Sequence, residues 1–387
     1  MIQKEEWIEY ELEKLLTYEQ PTPYIVESTD YNEKYKIPVL TAGKTFVIGY
    51  TNEEHGIFNA LPVIIFDDFT TATQYVNFKF KVKSSAMKIL TANTELVLLK
   101  YIFYRMQIIN FDHSTHKRYW IQLYAKQKIS IPSLPEQEKI VSKIEELFSN
   151  LDASVAELQK AKERLKVYRQ VVLKKAFEGK GEWKVGTIGD VLSVLTDYHA
   201  NGSYESLREN VQLLNEPDYA IMIRSTNFEK NDFFNDVKYI NEHSYNFLRK
   251  SKLYGGEVLM GKIGNAGRVY YMKNLGKPMS LAMNMFAMRF NEKIESKYVY
   301  YYLMSPAAEQ NIKEYVKGVG TPTIDKKSVR SLNFRYPEKD KQQMIVDEIE
   351  SRLSVCDNIE KTVNEALLQA EAMRQSILKK AFEGRLV

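Results

Sequence analysis

The sequence predicts a mixed α/β (α+β) protein: two globular domains joined by two long helices that pair as an intramolecular antiparallel coiled coil, with pseudo-two-fold symmetry. Three observations predict it. Residues 132–179 and 337–384 are two copies of one segment, offset by 205 without a gap. Of their 48 aligned positions 18 are identical, and the run LKKAFEG (Leu173 to Gly179, Leu378 to Gly384) is shared outright. Both copies repeat an apolar residue at every seventh position, which marks a helix with a continuous seam. The stretches before and between the copies are similar in length and carry short Val, Ile, Phe and Tyr runs bounded by Gly, Asn, Asp or Pro, as strands and turns do. The chain therefore divides into a first domain (1–134), a central helix (135–180), a second domain (181–336) and a C-terminal helix (337–387).

Taken in order, the first domain has strand-like runs at Thr45–Tyr50, Pro62–Phe66 and Gln74–Lys83, and the second at Glu257–Met260, Arg268–Met272 and Asn284–Phe290. The domains echo each other weakly. Glu6 to Leu12 can be laid over Glu182 to Ile188, Tyr35 to Leu40 over Tyr219 to Arg224, and Pro62 to Phe66 over Gly256 to Met260. A repeat this large implies pseudo-symmetry rather than a solenoid.

The first helix opens at Ser133-Leu134-Pro135-Glu136, a capping-box spacing with Pro in the first turn. Gly179 and Gly181 stop it, and Gly384 stops the second. Its seam runs through Ile144, Leu151, Leu158, Leu165 and Val172. The matching seam is Ile349, Cys356, Val363, Ala370 and Ile377. Small residues along it allow close approach, and each rod is about 65 Å long. A core-facing helix or a coil between two chains competes for the same stripe, but equal length and gapless correspondence favour pairing within one chain.

Composition sets the bounds. Lys plus Arg total 54 against 50 acidic residues, a net charge of +4. That mild balance permits a nucleic-acid partner if the charge is clustered. The lone Cys356 excludes a disulfide framework and fits a reducing compartment. The start, MIQKEEWIEYELEK, lacks the apolar region of a secretory signal, and no run of 18 apolar residues occurs. A cytoplasmic protein with no membrane association is expected.

Most catalytic signatures are absent: no HExxH, no GxSxG, no zinc-type Cys cluster, and no methyltransferase tetrapeptide. Gly256 to Ile263 has Walker A spacing but ends in Ile, where a hydroxyl must hold magnesium. Gly261 to Arg268 reads instead as a strand-to-strand loop whose Lys262, Asn265, Gly267 and Arg268 can approach a phosphate backbone; an ordinary flexible hairpin is the alternative. Lys317, Gly318, Thr321 and Thr323 repeat that chemistry. In the first domain His113 to Trp120 combines charge with aromatics, with His116, Lys117 and Arg118 as candidate DNA contacts. His113 and His116 have a spacing seen in metal sites, but no third ligand lies nearby, so no metal is expected. Asp67 and Asp68, followed by candidates Thr70 and Thr71, read as either a base-accepting or metal-binding pair or a solvated turn, the turn being favoured.

These residues carry a resemblance. Pro135 to Val141 resembles the PxxEQxxIV start of the conserved helix in specificity subunits of type I restriction-modification systems. The second copy departs from it, with Lys341-Gln342 in place of Glu-Gln. The exit LKKAFEG matches too. Tyr254 to Met260 with Gly264, Gly267 and Arg268, and Gly318 to Ile324, resemble that family's target-recognition domains, as do Pro38 to Lys44 and His116 to Trp120; Lys44 joins the candidate contacts on that ground. The resemblance implies that each domain reads one half of a bipartite site in double-stranded DNA. The helices would fix the spacer and dock two modification (methyltransferase) subunits, which methylate adenine with S-adenosylmethionine. Restriction motor subunits could join them. It also implies that the chain holds no catalytic residue and no cofactor of its own. Two other readings stay open: a coiled-coil scaffold joining two protein-binding modules, and a nucleotide hydrolase acting alone.

Overall fold

A computed structural model describes residues 7–42, 45–113, 118–178 and 182–386. The helix-stopping Gly179 and Gly181 lie outside them. The chain forms two compact units, one holding residues up to 159 together with those from 364 on, the other holding 160–363. The division falls inside the long helices rather than at the sequence boundaries near 134, 180 and 336. The physical reason is that each globule's core takes in the start of one long helix and the end of the other.

In the first unit, strands β1 (Ile8–Glu11), β2 (Leu16–Glu19), β3 (Ile37–Leu40), β4 (Val47–Thr51), β5 (Val63–Asp67), β6 (Thr73–Val76), β7 (Lys81–Val82), β8 (Met87–Ala92) and β9 (Lys128–Ile131) form two small sheets and a ribbon. The main sheet has the order β2-β8-β5-β6, the second β4-β3-β7, and β1 pairs with β9. The expected strand over Gln74–Lys83 is two strands in different sheets, because the chain crosses between them at 77–80. β5 is buried on both faces. Alternate side chains of a strand face opposite ways: Ile64 and Phe66 join one core while Val63 and Ile65 join another. The first of these cores contains Tyr101 and Ile102 from the helix Leu99–Met106. It also takes Ile140, Ile144 and Phe148 from the first long helix (Leu134–Phe177) and Leu378, Ala381 and Phe382 from the second (Lys339–Phe382).

The second unit repeats this plan. Strands β10 (Lys184–Thr187), β11 (Leu192–Asp197), β12 (Ala220–Ile223), β13 (Lys238–Ile240), β14 (Lys252–Leu253), β15 (Val258–Gly261), β16 (Val269–Tyr271), β17 (Met279–Leu281), β18 (Met285–Phe290) and β19 (Asn333–Tyr336) give a sheet ordered β11-β18-β15-β16, a sheet ordered β13-β12-β17-β14, and the ribbon β10-β19. In both second sheets one neighbouring pair is parallel, β3 with β7 and β12 with β17. The three segments that echo in sequence fall on β1/β10, β3/β12 and β5/β15. The core joins Val258, Met260, Phe286 and Met288 to Tyr298 of the helix Ser296–Leu303, to Val172, Leu173 and Phe177, and to Val346 and Ile349.

The long helices run antiparallel. In the first unit the early part of one meets the late part of the other: Arg374 pairs with Asp152, its guanidinium 4.2 Å from the Phe148 ring centroid. In the second unit the roles exchange, and Arg169 donates to Asp357 at 2.7 Å and to Glu360 at 2.9 Å. Arg374 and Asp357 are Arg169 and Asp152 displaced by 205, so the pair is reciprocal. The seam residues Ile144, Val172, Ile349, Cys356, Val363 and Ala370 are buried, while Leu151, Leu158, Leu165 and Ile377 are half-buried. Ile144, Val172 and Ile349 also sit in globule cores, and Ile377 packs against one. The Glu136 side chain, expected to close a capping box, accepts from the Trp7 indole N–H at 3.0 Å. Among the described residues no helix is long and apolar enough to cross a membrane.

Candidate nucleic-acid interface

In each globule the structure joins two segments distant in sequence: the hairpin turn after the third strand of the main sheet, and the stretch that follows the core helix. In the first unit the turn is 68–72, between β5 and β6. Asp67 shapes it, its Oδ1 accepting from the N–H groups of Phe69 (2.8 Å) and Thr70 (3.1 Å) while its carbonyl takes Thr71 N–H. Thr71 sits at φ +58°. Residues 111–113 and 118–120 pack against this turn. His113 Nε2 lies 2.9 Å from Thr71 Oγ1 and 3.0 Å from the Thr70 carbonyl oxygen, and the Arg118 guanidinium lies over the Phe69 ring at 5.9 Å. Phe69, Thr70, His113 and Arg118 are exposed. Two threonines, an imidazole, a guanidinium and an aromatic ring therefore share one patch. Lys44, His116 and Lys117 lie outside the described residues.

Asp67 and Asp68 do not form a solvated turn; both are buried. Asp68 Oδ1 accepts from Trp120 N–H at 2.8 Å, and Oδ2 pairs with buried Lys88 at 3.2 Å. Backbone amides and an ammonium group consume the lone pairs that a base or a metal would need.

In the second unit the hairpin 262–268 lies beside the loop 317–323. Gly264 N–H donates to the Pro322 carbonyl at 2.9 Å, and Ile263 bridges to Thr323. Lys317 and Thr323 exchange main-chain hydrogen bonds at 2.9 and 2.8 Å, closing a loop whose tip carries a fully exposed Val319 between two glycines. Gly318 has φ +92° and Gly267 φ +82°. A Cβ on Gly267 would meet Ile312 Cγ2 at 2.4 Å, so only glycine lets the hairpin lie this close to the helix Pro306–Tyr315. Arg268, Lys317, Thr321 and Thr323 are exposed; the Arg268 guanidinium rests 5.8 Å from the Tyr270 ring centroid. Asn265 donates to Glu229. The near-Walker stretch is strand followed by hairpin. Its Glu257 accepts from Tyr254 and Gly255 N–H at 2.9 Å each and pairs with Arg289, leaving no phosphate cradle.

Lys262 differs from its neighbours. Its ammonium is 2.8 Å from Asp197 Oδ2, while Lys326 is 2.7 Å from Oδ1. Burial alone would raise the Asp197 carboxyl; the two lysines outweigh it and hold the group below its ordinary 3.8. Asp197 is not evident in the sequence as part of this site, since nothing local links β11 to the hairpin; Lys326 belongs to the Asp325-Lys326-Lys327 run that follows the 317–323 loop. The 205 offset extended back past the helix lays 112–120 over 317–325, but no residue is identical there, so the equivalence of the two post-helix stretches shows only in their main-chain contacts.

Residues 180–369 match the type I restriction modification DNA specificity domain. The chain is 34% identical over 394 residues to the type I restriction enzyme EcoR124I/EcoR124II specificity subunit of Escherichia coli, covering 96% of this chain and 91% of that relative. Its fold resembles a chain from a structural study of the assembly and conformational transition of the type I R-M system (TM-score 0.69, 15% identity, 98% of both chains). It also resembles the HsdS subunit from Thermoanaerobacter tengcongensis (TM-score 0.50, 15% identity, 98% of this chain and 97% of that one). The chain belongs to the family of type I restriction enzyme specificity subunits.

Proposed function

We propose that each globule reads one half of a bipartite site in duplex DNA, with the paired helices setting the unread spacer between the halves. The observation that carries this reading is that both globules bring the same two segments together. Each presents hydroxyls and cations on exposed backbone turns, and each is built onto the ends of one duplicated helix. Arg118, Arg268 and Lys317 are the phosphate contacts in this reading, and Thr70, Thr71, Asn265, Thr321 and Thr323 are the polar groups within reach of base edges. Such groups bind and orient DNA and carry out no chemistry, so the chain is a non-catalytic subunit.

Adenine methylation belongs to two modification subunits that bring S-adenosylmethionine; restriction motor subunits can join the same cytoplasmic complex. The helices keep exposed apolar side chains off the seam, Val167 and Val171 on the first and Val355 and Leu368 on the second, and these offer the docking faces. The test is methylome sequencing of cells expressing the chain with its modification partner, and again with residues 181–336 exchanged for the corresponding domain of a relative. A bipartite site of which one half changes is expected. A hybrid in which both halves change would overturn the division of reading.

A further inference from the structure

Beneath each recognition hairpin lies an ion pair, and the two pairs occupy equivalent places with their signs exchanged. Main-chain bonds fix the equivalence. Asp67 and Gly261 close their hairpins in the same way, Asp67 N–H to the Ala72 carbonyl at 2.8 Å and Gly261 N–H to the Arg268 carbonyl at 2.8 Å. One residue on, Asp68 N–H donates to the Ala86 carbonyl at 3.2 Å and Lys262 N–H to the Asn284 carbonyl at 2.8 Å. The carbonyls of the same two residues accept from Tyr119 N–H (2.8 Å) and Ile324 N–H (3.1 Å), and these two are again 205 apart. Asp68 and Lys262 thus hold one position.

The strands agree. Phe66 faces Lys88 and Met260 faces Phe286; Glu19 faces Ile89 and Thr196 faces Ala287, so Gln20 and Asp197 correspond. In the first unit the hairpin carries the anion. Asp68 pairs with Lys88, which also donates to Gln20 Oε1 at 3.2 Å. In the second the hairpin carries the cation: Lys262 pairs with Asp197, its ammonium 5.6 Å over the Phe286 ring that stands where Lys88 does. An anion at position 68 cannot serve phosphate. That this place accepts either sign, provided a partner beneath it has the other, marks its side chain as one that turns to the sheet in both units: Asp68 is buried, and half-buried Lys262 turns to Asp197. Removing Asp68 or Lys88 leaves the other charge buried without its counter-ion, removing Asp197 takes the anion from Lys262, and removing Lys262 leaves Asp197 with Lys326 alone; in each case the hairpin loses the ion pair that ties it to the sheet.

We propose that these pairs are struts that hold the recognition hairpins in their reading pose. Asp197 and Lys262 in one unit, and Asp68 and Lys88 in the other, are positioning residues for base recognition, and Lys262 contacts no phosphate. The inference rests on the DNA-reading role proposed above.

The test uses the full chain assembled with its modification subunits. Binding is measured to duplexes carrying single base-pair changes across both half-sites, over a range of salt. Asp197→Asn and Lys262→Met are each expected to lower discrimination in one half-site about tenfold and to leave the other unchanged. The double variant, which preserves net charge, keeps the wild-type salt slope. Asp197→Gln with Lys262→Asp and Phe286→Lys installs the first unit's set and regains most of the discrimination. Amide exchange in Asp197→Asn, expected to quicken at 262–268 alone, supplies a measure that does not depend on the triple variant folding. Intact discrimination with unchanged exchange in Asp197→Asn overturns the strut. So does a double variant that keeps its discrimination while its salt slope falls by about one phosphate contact. A wild-type complex that binds every duplex alike is a different result, and it overturns the DNA-reading role itself.

Discussion

Gln137 and Gln342 make the same three hydrogen bonds. Gln137 Nε2 donates to the carbonyls of Leu96 (3.0 Å) and Pro132 (2.9 Å), and its Oε1 accepts from Leu98 N–H (2.9 Å). Gln342 does so with Lys293 (3.0 Å), Pro337 (2.9 Å) and Glu295 N–H (2.9 Å). Both are fully buried. Each ties the first turn of a long helix to the chain entering its globule's core helix. This explains why the glutamine survives in the second copy, where the glutamate before it has become Lys341: only a side chain with two donors and an acceptor satisfies all three groups.

Gln342→Ala leaves two carbonyls and an amide without partners, at about 1–3 kcal/mol each. A clear fall in melting temperature is expected, and Gln137→Ala should do the same in the other unit. Melting curves that overlay the wild type would show that water replaces the side chain at no cost.

The Arg169–Asp357 pair is expected to contribute little. Asp357 is two-thirds exposed, and such pairs contribute about 0–1 kcal/mol. Arg169→Ala should therefore melt close to wild type, with the difference shrinking in salt. Ile349→Ala, which removes a buried seam residue from the second core, should cost about 2–5 kcal/mol. Chemical denaturation of the two variants checks the order; a larger loss from Arg169→Ala would mean that ion pairs, not the apolar seam, hold the helices together.

Asp197 predicts an acid-dependent loss in the second unit. Its folded carboxyl lies below the ordinary 3.8 because Lys262 and Lys326 outweigh the effect of burial. The stabilisation is present above that value and disappears as pH falls through the lower folded value. Asp197→Asn lacks it at every pH. The stability gap between the two proteins, measured by denaturant titration, should narrow on acidification. A gap that stays constant to low pH would mean that the carboxylate charge is not what the lysines stabilise.

Arg268→Ala and Lys317→Ala should each reduce the slope of log affinity against log salt by about 0.9 if each meets one phosphate. Binding to random duplex at several salt concentrations measures it, and an unchanged slope in both would place these cations off the DNA.

The ruler can be lengthened only in both helices together, because the seam is shared. Matched four-residue insertions at Ala161 and Ala366, equivalent in the repeat, add about one turn, roughly 6 Å. The spacer in the methylated site should grow while both half-sites stay the same. A spacer of unchanged length in the methylome would remove the helices from its control.

The sequence by itself determined the two long helices, their gapless equivalence, their seam and the strands at 62–66, 257–260, 268–272 and 284–290. These depend on local periodicity, which the chain carries within a few turns or strands. It also marked the hairpin 261–268 and the loop 317–323, because glycines, cations and hydroxyls cluster there. Tertiary structure alone decided that these two loops lie side by side and that Asp67 and Asp68 point inward. It alone decided that Lys262 turns to Asp197 while Arg268 and Lys317 stay exposed. A lysine's role depends on which carboxylate the fold brings within about 4 Å of it. Asp197 stands 65 residues away in sequence, on a strand reached only when β11, β18 and β15 register against one another, and no local pattern encodes that pairing.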